Sequence, residues 1–306
     1  MSAARRLGLG TAQFGSAYGI TNRSGAVGAD DAARILETAQ RSGIDLIDTA
    51  YLYAGSEALL GVALASAYRP RIVTKTPKFA GCESPSSAAA LLDQAFAGSE
   101  RSLGRAPYGL LLHDAGDLLG PHGDALWAAM ERLKRSGRVE RIGVSVYSGD
   151  EIDRLLERLA VDLVQVPWNP LDTRLADGGQ LDRLKAAGVE VHGRSLFLQG
   201  LLLQPAGSLP QWLAGLRPAV AELDRALEEA EVSRLEGLLA LALAEARIDH
   251  VLVGVTSSAE LAEIAQAADR AAVLDSPPRF RPSRVIDPRL LNPARWPELR
   301  GGVSGP

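Results

Sequence analysis

Residues Ile44 to Gly61 read IDLIDTAYLYAGSEALLG. The apolar positions Ile44, Leu46 and Ile47, with Leu52 beyond, surround a carboxylate, Asp48, and a phenol, Tyr53, follows five residues later. The first half predicts a buried strand and SEALLG the start of a helix, so Asp48 falls where a strand passes into a loop. A carboxylate placed there is costly unless it has a partner. The next strand-like run, Arg71-Ile72-Val73-Thr74, ends in Lys75, and the one after it, Gly109 to Leu112, ends in His113. Three successive strands that each finish on an ionisable group outline a catalytic rim. Each residue alone has a plainer reading: Asp48 as a turn cap, Tyr53 as packing, Lys75 as a solvated strand end. Their joint placement favours chemistry.

The pattern continues outward in both directions. Strands are predicted at Leu7–Gly10, Ile44–Asp48, Ile72–Lys75, Gly109–His113, Ile142–Ser145, Leu163–Val166, Val189–His192 and Val251–Val253. Helical periodicity fills the gaps at Asp30–Arg41, Ser56–Ala65, Ser87–Leu103, Asp124–Ser136, Asp150–Leu159, Leu175–Ala186 and Ala259–Ala268, with two helices expected across Arg217–Ala246. Eight strands alternating with helices suit a (β/α)8 TIM barrel, although a doubly wound open sheet gives the same local pattern. Gly43, Gly104, Gly137 and Gly188 fit helix C-caps. We expect one barrel domain over residues 1–306, with the Pro- and Arg-rich stretch 276–306 as a C-terminal extension. Its Phe280, Leu290, Leu291 and Trp296 favour a segment laid over the barrel rather than a free tail.

The 306 residues, 46% of them hydrophobic, suffice for a large core. A net charge of -4 with dispersed Lys and Arg argues against a nucleic-acid partner, which needs clustered cations. The single cysteine, Cys82, excludes an internal disulfide and suits a reducing compartment. The N-terminal MSAARRLGLGTAQFG lacks the apolar stretch of a signal peptide, and no run approaches the ~20 residues of a membrane span. These features predict a soluble, cytoplasmic protein with no membrane partner; the oligomeric state is left open. His122, His192 and His250 show no metal-ligand spacing, and no metal is expected.

At a barrel mouth Asp48, Tyr53, Lys75 and His113 would meet. A phenol has a pKa near ~10, and an adjacent ammonium makes it a stronger acid. Lys75 would supply that charge, Asp48 would hold Lys75, and His113 would donate to a substrate oxygen. Such a site suits a carbonyl that is receiving a hydride.

The segments LGLGTAQFG, IDLIDTAYLYAGSEALLG, IVTKTP, LLLHD, RIGVS, VQVPWNPLD and VLVGVTSSAEL resemble, in order and spacing from about Leu7 to Leu261, the successive signatures of the aldo-keto reductases. The resemblance implies an oxidoreductase that reduces an aldehyde or ketone with NADPH or NADH. It also implies Asp48, Tyr53, Lys75 and His113 as the catalytic tetrad, with Tyr53 as proton donor in preference to Tyr51. For the cofactor it implies Gly10 and Thr11 near the nicotinamide, Ser145 and Gln165 on its carboxamide, and Gly254, Thr256, Ser257, Glu260 and Leu261 around the adenosine phosphate. Departures are visible. Arg194 stands where the family has a stacking aromatic, Val146 and Ile264 replace two asparagines, and Glu260 lies where basic residues often grip a phosphate. A dedicated NADPH clamp is therefore not expected.

From loop position we expect Gln13, Tyr51, Trp168 and Phe197 to line the substrate pocket, with Trp212 and Trp296 as further candidates and Trp127 in the core. A hydroxylated, sugar-like carbonyl compound suits this mixture. Two other functions fit the same barrel. One is a cofactor-binding regulatory subunit with little turnover. The other is a lyase forming a Schiff base at Lys75, which needs a neutral amine that a nearby Asp48 opposes.

Overall fold

The computed structural model describes residues 3–64 and 67–301. Eight parallel strands close into a barrel in sequence order: β1 (Leu7–Gly10), β2 (Leu46–Asp48), β3 (Arg71–Lys75), β4 (Gly109–Leu112), β5 (Arg141–Ser145), β6 (Leu163–Pro167), β7 (Glu190–Arg194) and β8 (His250–Gly254). β8 pairs back onto β1 from Leu7↔Val251 to Gly10↔Gly254, which excludes the open sheet. Every strand places its carboxyl end at the same mouth, because the intervening helices return the chain to the opposite pole.

The strand ends are set by local chemistry. β2 begins at Leu46 rather than Ile44, because the helix Ala29–Ser42 ends on Gly43 in the left-handed region (φ 76°) and Ile44 N–H bonds back to Ala39 O. Only a residue without a Cβ takes that conformation freely. β4 stops at Leu112, and His113 hangs one residue beyond it with its N–H on Thr76 Oγ1. β7 runs on to Arg194, past the predicted His192. The expected helix Leu175–Ala186 is broken at Gly179 (φ 77°) into Arg174–Asp177 and Gln180–Ala186. The Arg217–Ala246 region does hold two helices, Arg217–Glu229 and Arg234–Ala244, the second started by a Ser233/Glu236 capping box. Ala65, predicted to end the helix that begins at Ser56, lies outside the described residues, as do residues 302–306 of the extension.

Side chains alternate inward and outward along each strand. Inward Leu46, Val73, Leu111, Leu163 and Leu252 form a small apolar plug in mid-barrel, while the outward set packs against the helices as the main core. Trp127 belongs to that core. The stretch after Ser276 is packed down: Ile286, Leu291 and Trp296 are buried, Trp296 Nε1 donates to Leu290 O, and Ser283 binds Glu222. No helix among the described residues is long and apolar enough to cross a membrane.

Candidate active site

The chain from Thr49 to Ser56 carries Tyr53 over the mouth and is fixed by a chain of buried hydroxyls. Thr49 Oγ1 lies 3.2 Å from Ser56 Oγ, which donates to Thr11 Oγ1 at 2.8 Å, and Thr11 in turn donates to Asp48 O at 3.0 Å. Ser56 N–H closes the turn on Tyr53 O. The start of the chain presses on the same turn: a Cβ on Gly15 would come within 2.2 Å of Ala54 O and 2.6 Å of Tyr53 O. Glycine is required there by close approach rather than by backbone angle.

Lys75, fully buried at the end of β3, donates from Nζ to Asp48 Oδ1 and Oδ2 (2.8 and 2.7 Å), to Thr49 O (3.0 Å), and reaches the Tyr53 hydroxyl at 3.5 Å. Gln165 donates to the same Asp48 Oδ1 at 2.8 Å. The imidazole of His113 meets the Tyr53 ring edge-on at 6.0 Å. The structure thus gathers the four residues singled out from three strand ends. Burial works to strip the Lys75 proton, but Asp48 and Tyr53 outweigh it and Lys75 is held above its usual pKa. A Schiff base at this lysine is opposed accordingly. Burial, aided by the Lys75 charge, lowers His113 to about 4, so it is neutral at pH 7.

Tyr53 departs from the simple expectation. Its pKa is raised, because burial of the phenolate and the Asp48 charge outweigh the pull of Lys75. The phenol consequently stays protonated across the neutral range. Lys75 offsets part of the burial penalty and does not create an unusually strong acid.

These groups open onto a cavity of about 870 Å³. Gly10, Gln13, Ser145, Gln165, Arg194 and Phe197 line it, as do Gly254, Thr256 and Glu260 towards β8. Several expectations are corrected. Thr11 is fully buried behind the mouth and acts through Asp48 O, Ser257 caps the helix Ser258–Ala271, and Leu261 is in the core; none of the three lines the cavity. Trp168 is buried on the outside of the barrel, one residue out of step with inward Gln165 and Pro167, and Tyr51 points to solvent, 46% exposed. Trp212 and Trp296 pack edge-to-face on each other at 5.4 Å and also leave the cavity wall.

Other lining residues were not singled out from sequence: Tyr18, Thr21, Tyr147 and, on either side of the expected Phe197, Ser195, Leu196, Leu198, Gln199 and Gly200. Within that run Ser195, Leu198 and Gln199 all have positive φ (70°, 46° and 55°). Backbone held this way by non-glycine residues collects at functional sites. Gly200 was its only visible signal.

Glu190, His192 and His250 bring donor atoms within 4.8 Å of one another at the opposite pole. This corrects the reading that no histidine has ligand partners, which missed it because the β7–β8 register sets His192 beside His250 from 58 residues away. The guanidinium of Arg71 already sits there, 3.0 Å from His250 Nε2 and 3.6 Å from Glu190 Oε1. It supplies the cation that the group calls for.

The model of the Aldo/keto reductase family matches residues 6–276. The chain belongs to that family. This aldo/keto reductase is 28% identical over 279 residues to an L-galactose dehydrogenase of Arabidopsis thaliana, covering 84% of this chain and 82% of the relative. Its fold is similar to that of the aldo-keto reductase AKR11C1 from Bacillus halodurans in its holo form (TM-score 0.69, 24% identity, 89% and 87% of the two chains). A glycerol dehydrogenase, AKR11B4, from Gluconobacter oxydans is similar as well (TM-score 0.65, 20% identity, 92% and 95%). Family membership makes this protein an oxidoreductase.

Proposed function

We propose that the protein interconverts a small carbonyl compound and its alcohol with NADPH or NADH, with Tyr53 carrying the proton. The observation that supports this most directly is the Tyr53 hydroxyl, 3.5 Å from a charged Lys75 clamped by Asp48, beside a neutral His113 and facing a large cavity. At about 870 Å³ the cavity lies near the upper end of small-molecule sites, more than a simple aldehyde requires. The buried Gln13 Oε1, which has no protein partner, lies on its wall beside Gly254. A dinucleotide fits both features. Gly10, Ser145 and Gln165 would hold its nicotinamide end, and Gly254, Thr256 and Glu260, with Ser257 behind them, its adenosine end. The bound cofactor supplies hydride chemistry.

The chain's own residues do the rest. His113, neutral and with one N–H to give, orients the carbonyl oxygen; Tyr53 O–H delivers the proton to that oxygen; Lys75 stabilises the phenolate left behind; Asp48 and Gln165 keep Lys75 in place. In the reverse direction the same phenolate accepts the proton of an alcohol. The Glu260 carboxylate accepts Thr256 N–H at 2.7 Å and lies 3.0 Å from its hydroxyl, so a cofactor phosphate at this loop would meet an anion already in possession of the donors. This supports use of NADH alongside NADPH. The L-galactose relative favours a sugar-like substrate, and single Cys82 favours the cytoplasm.

The test is Tyr53→Phe. Turnover should fall at least ~10²-fold, the scale of a lost general acid, while cofactor affinity, read by fluorescence titration, is retained. A fully active Tyr53→Phe beside an inactive Tyr51→Phe would overturn the assignment.

A further inference from the structure

The two cations nearest the reacting groups differ in one respect. Lys75 is matched by Asp48. Arg194, half-buried at the end of β7, has no carboxylate partner among the described residues, although Glu260 and Glu263 line the same cavity. Its guanidinium is nevertheless fixed. Nη2 donates to Val146 O at 2.9 Å, Nη1 reaches Ser195 Oγ at 3.4 Å, and Cζ lies 4.1 Å from the centroid of the Tyr147 ring. Of the five N–H donors of a guanidinium, these contacts engage two. The remainder belong to a side chain that lines open space.

Arg194 also lies at the reacting end. Its charge bears on both Tyr53 and His113, favouring the deprotonated form of each. A half-buried guanidinium held in one orientation with donors to spare is preorganised for an anion, since its planar fork matches carboxylate and phosphate oxygens. Tyr147 supports the plane from one face, and Val146 O holds the head in one orientation.

We propose that Arg194 is an anchor for an anionic substrate: the carbonyl compound carries a carboxylate or phosphate group that pairs with the guanidinium while its carbonyl oxygen faces Tyr53 and His113. Tyr147 and Ser195 are the residues that position it. This rests on the carbonyl-reductase reading, since the reacting end is defined by Tyr53. It narrows the substrate class from sugar-like carbonyls in general to acidic ones, such as an aldehyde acid or a sugar phosphate.

The test uses the full-length protein, Arg194→Gln and Arg194→Lys with two matched pairs: 3-carboxybenzaldehyde against benzaldehyde, and glyceraldehyde 3-phosphate against glyceraldehyde. The parent should prefer the anionic member of at least one pair. The preference, as a ratio of kcat/KM values, should fall ~10- to 100-fold in Arg194→Gln, the worth of charge-assisted hydrogen bonds, mainly through KM, and partly survive in Arg194→Lys. Calorimetric binding of 3-carboxybenzaldehyde to the cofactor-free protein should weaken at least ~10-fold in Arg194→Gln. If the parent turns over no aldehyde yet binds the carboxylate in an Arg194-dependent way, the anchor stands and the reductase reading fails. A parent that prefers neutral aldehydes in both pairs overturns the proposal. So does a ratio unmoved by Arg194→Gln, whether or not NADH and NADPH affinities drop; if they drop, Arg194 serves the dinucleotide instead.

Discussion

The barrel carries ionic clusters at both poles, built from the same materials. At the mouth, Asp48, Lys75, Tyr53, His113 and Gln165 surround one buried ion pair. At the opposite pole, Arg71, Glu190, His192, His250 and Tyr108 form a partly buried cluster: Tyr108 O–H donates to Glu190 Oε2 at 2.6 Å and His192 Nε2 to Oε1 at 2.8 Å, with Arg71 against both Glu190 and His250. Burial pushes Glu190 up, but those hydrogen bonds and the Arg71 charge hold it at about 2. Titratable residues with shifted pKa values thus occur at both ends and do not by themselves mark a site. What separates the poles is space, since unpartnered ring nitrogens occur at both: Nδ1 of His113 at the mouth, Nδ1 of His192 and His250 at the far pole. The mouth leaves the Tyr53 hydroxyl and the Arg194 donors facing a cavity, whereas the far pole closes its charges on one another.

Substitutions can break that contrast. The largest effect is expected from Lys75→Met, which leaves Asp48 buried and uncompensated. It should lower unfolding free energy by about 3–5 kcal/mol and abolish turnover, and adding Asp48→Asn should restore much of the stability but none of the activity. Urea denaturation beside a turnover assay reads both. At the far pole, Glu190→Gln should cost about 1–3 kcal/mol of stability through its lost charge-assisted bonds, with turnover per folded molecule unchanged. A comparable loss of turnover would mean that the two poles are coupled.

Next in size is a pH effect. Burial, with the neighbouring His192 and Arg71, lowers His250 to about 4, against ~6.5 for an unfolded chain. Between these values the unfolded chain binds more protons, so stability is lost as pH falls from ~6.5 to about 4. His113, also at about 4, adds to the same slope from the mouth. His250→Gln should flatten the dependence of Tm on pH in this window and leave the pH–rate profile alone, whereas His113→Gln should alter both. The smallest effect expected is that of Glu260→Gln. Removing a carboxylate from the first turn of its helix should shift the NADPH-to-NADH affinity ratio severalfold towards NADPH, on the order of 1 kcal/mol or less. A parent that already binds NADPH more than about a hundredfold tighter (roughly 2.7 kcal/mol) would show that Glu260 does not oppose the phosphate.

The two poles were unequally legible in the sequence. Asp48, Lys75 and His113 announce themselves because each ends an apolar run, and strand ends share a mouth in any barrel. Glu190, His192 and His250 do not, because the cross-strand register that joins them is a tertiary fact. Trp168 shows a finer limit: apolar character and loop position said "pocket", but a shift of one residue along a strand reverses the face. The left-handed Ser195, Leu198 and Gln199 were invisible because only glycine advertises a positive φ. The acidity of Tyr53 was misjudged in sign, since a charge pair can be read from a sequence while the degree of burial cannot.

The β1–β8 closure and the placement of Pro293 and Ala294 on the cavity wall have a consequence for the protein's birth. The cavity is bordered by Gly10 and by Pro293, so almost the whole described chain must be synthesised between its first wall and its last. At ~5–20 residues per second that interval is on the order of 15–60 s. For most of it, until β8 is made, β1 is paired on its β2 side alone and its other edge stays open, the state in which nascent chains aggregate. Yield in a recombinant host should therefore depend more on shelter during translation than on the stability of the finished barrel.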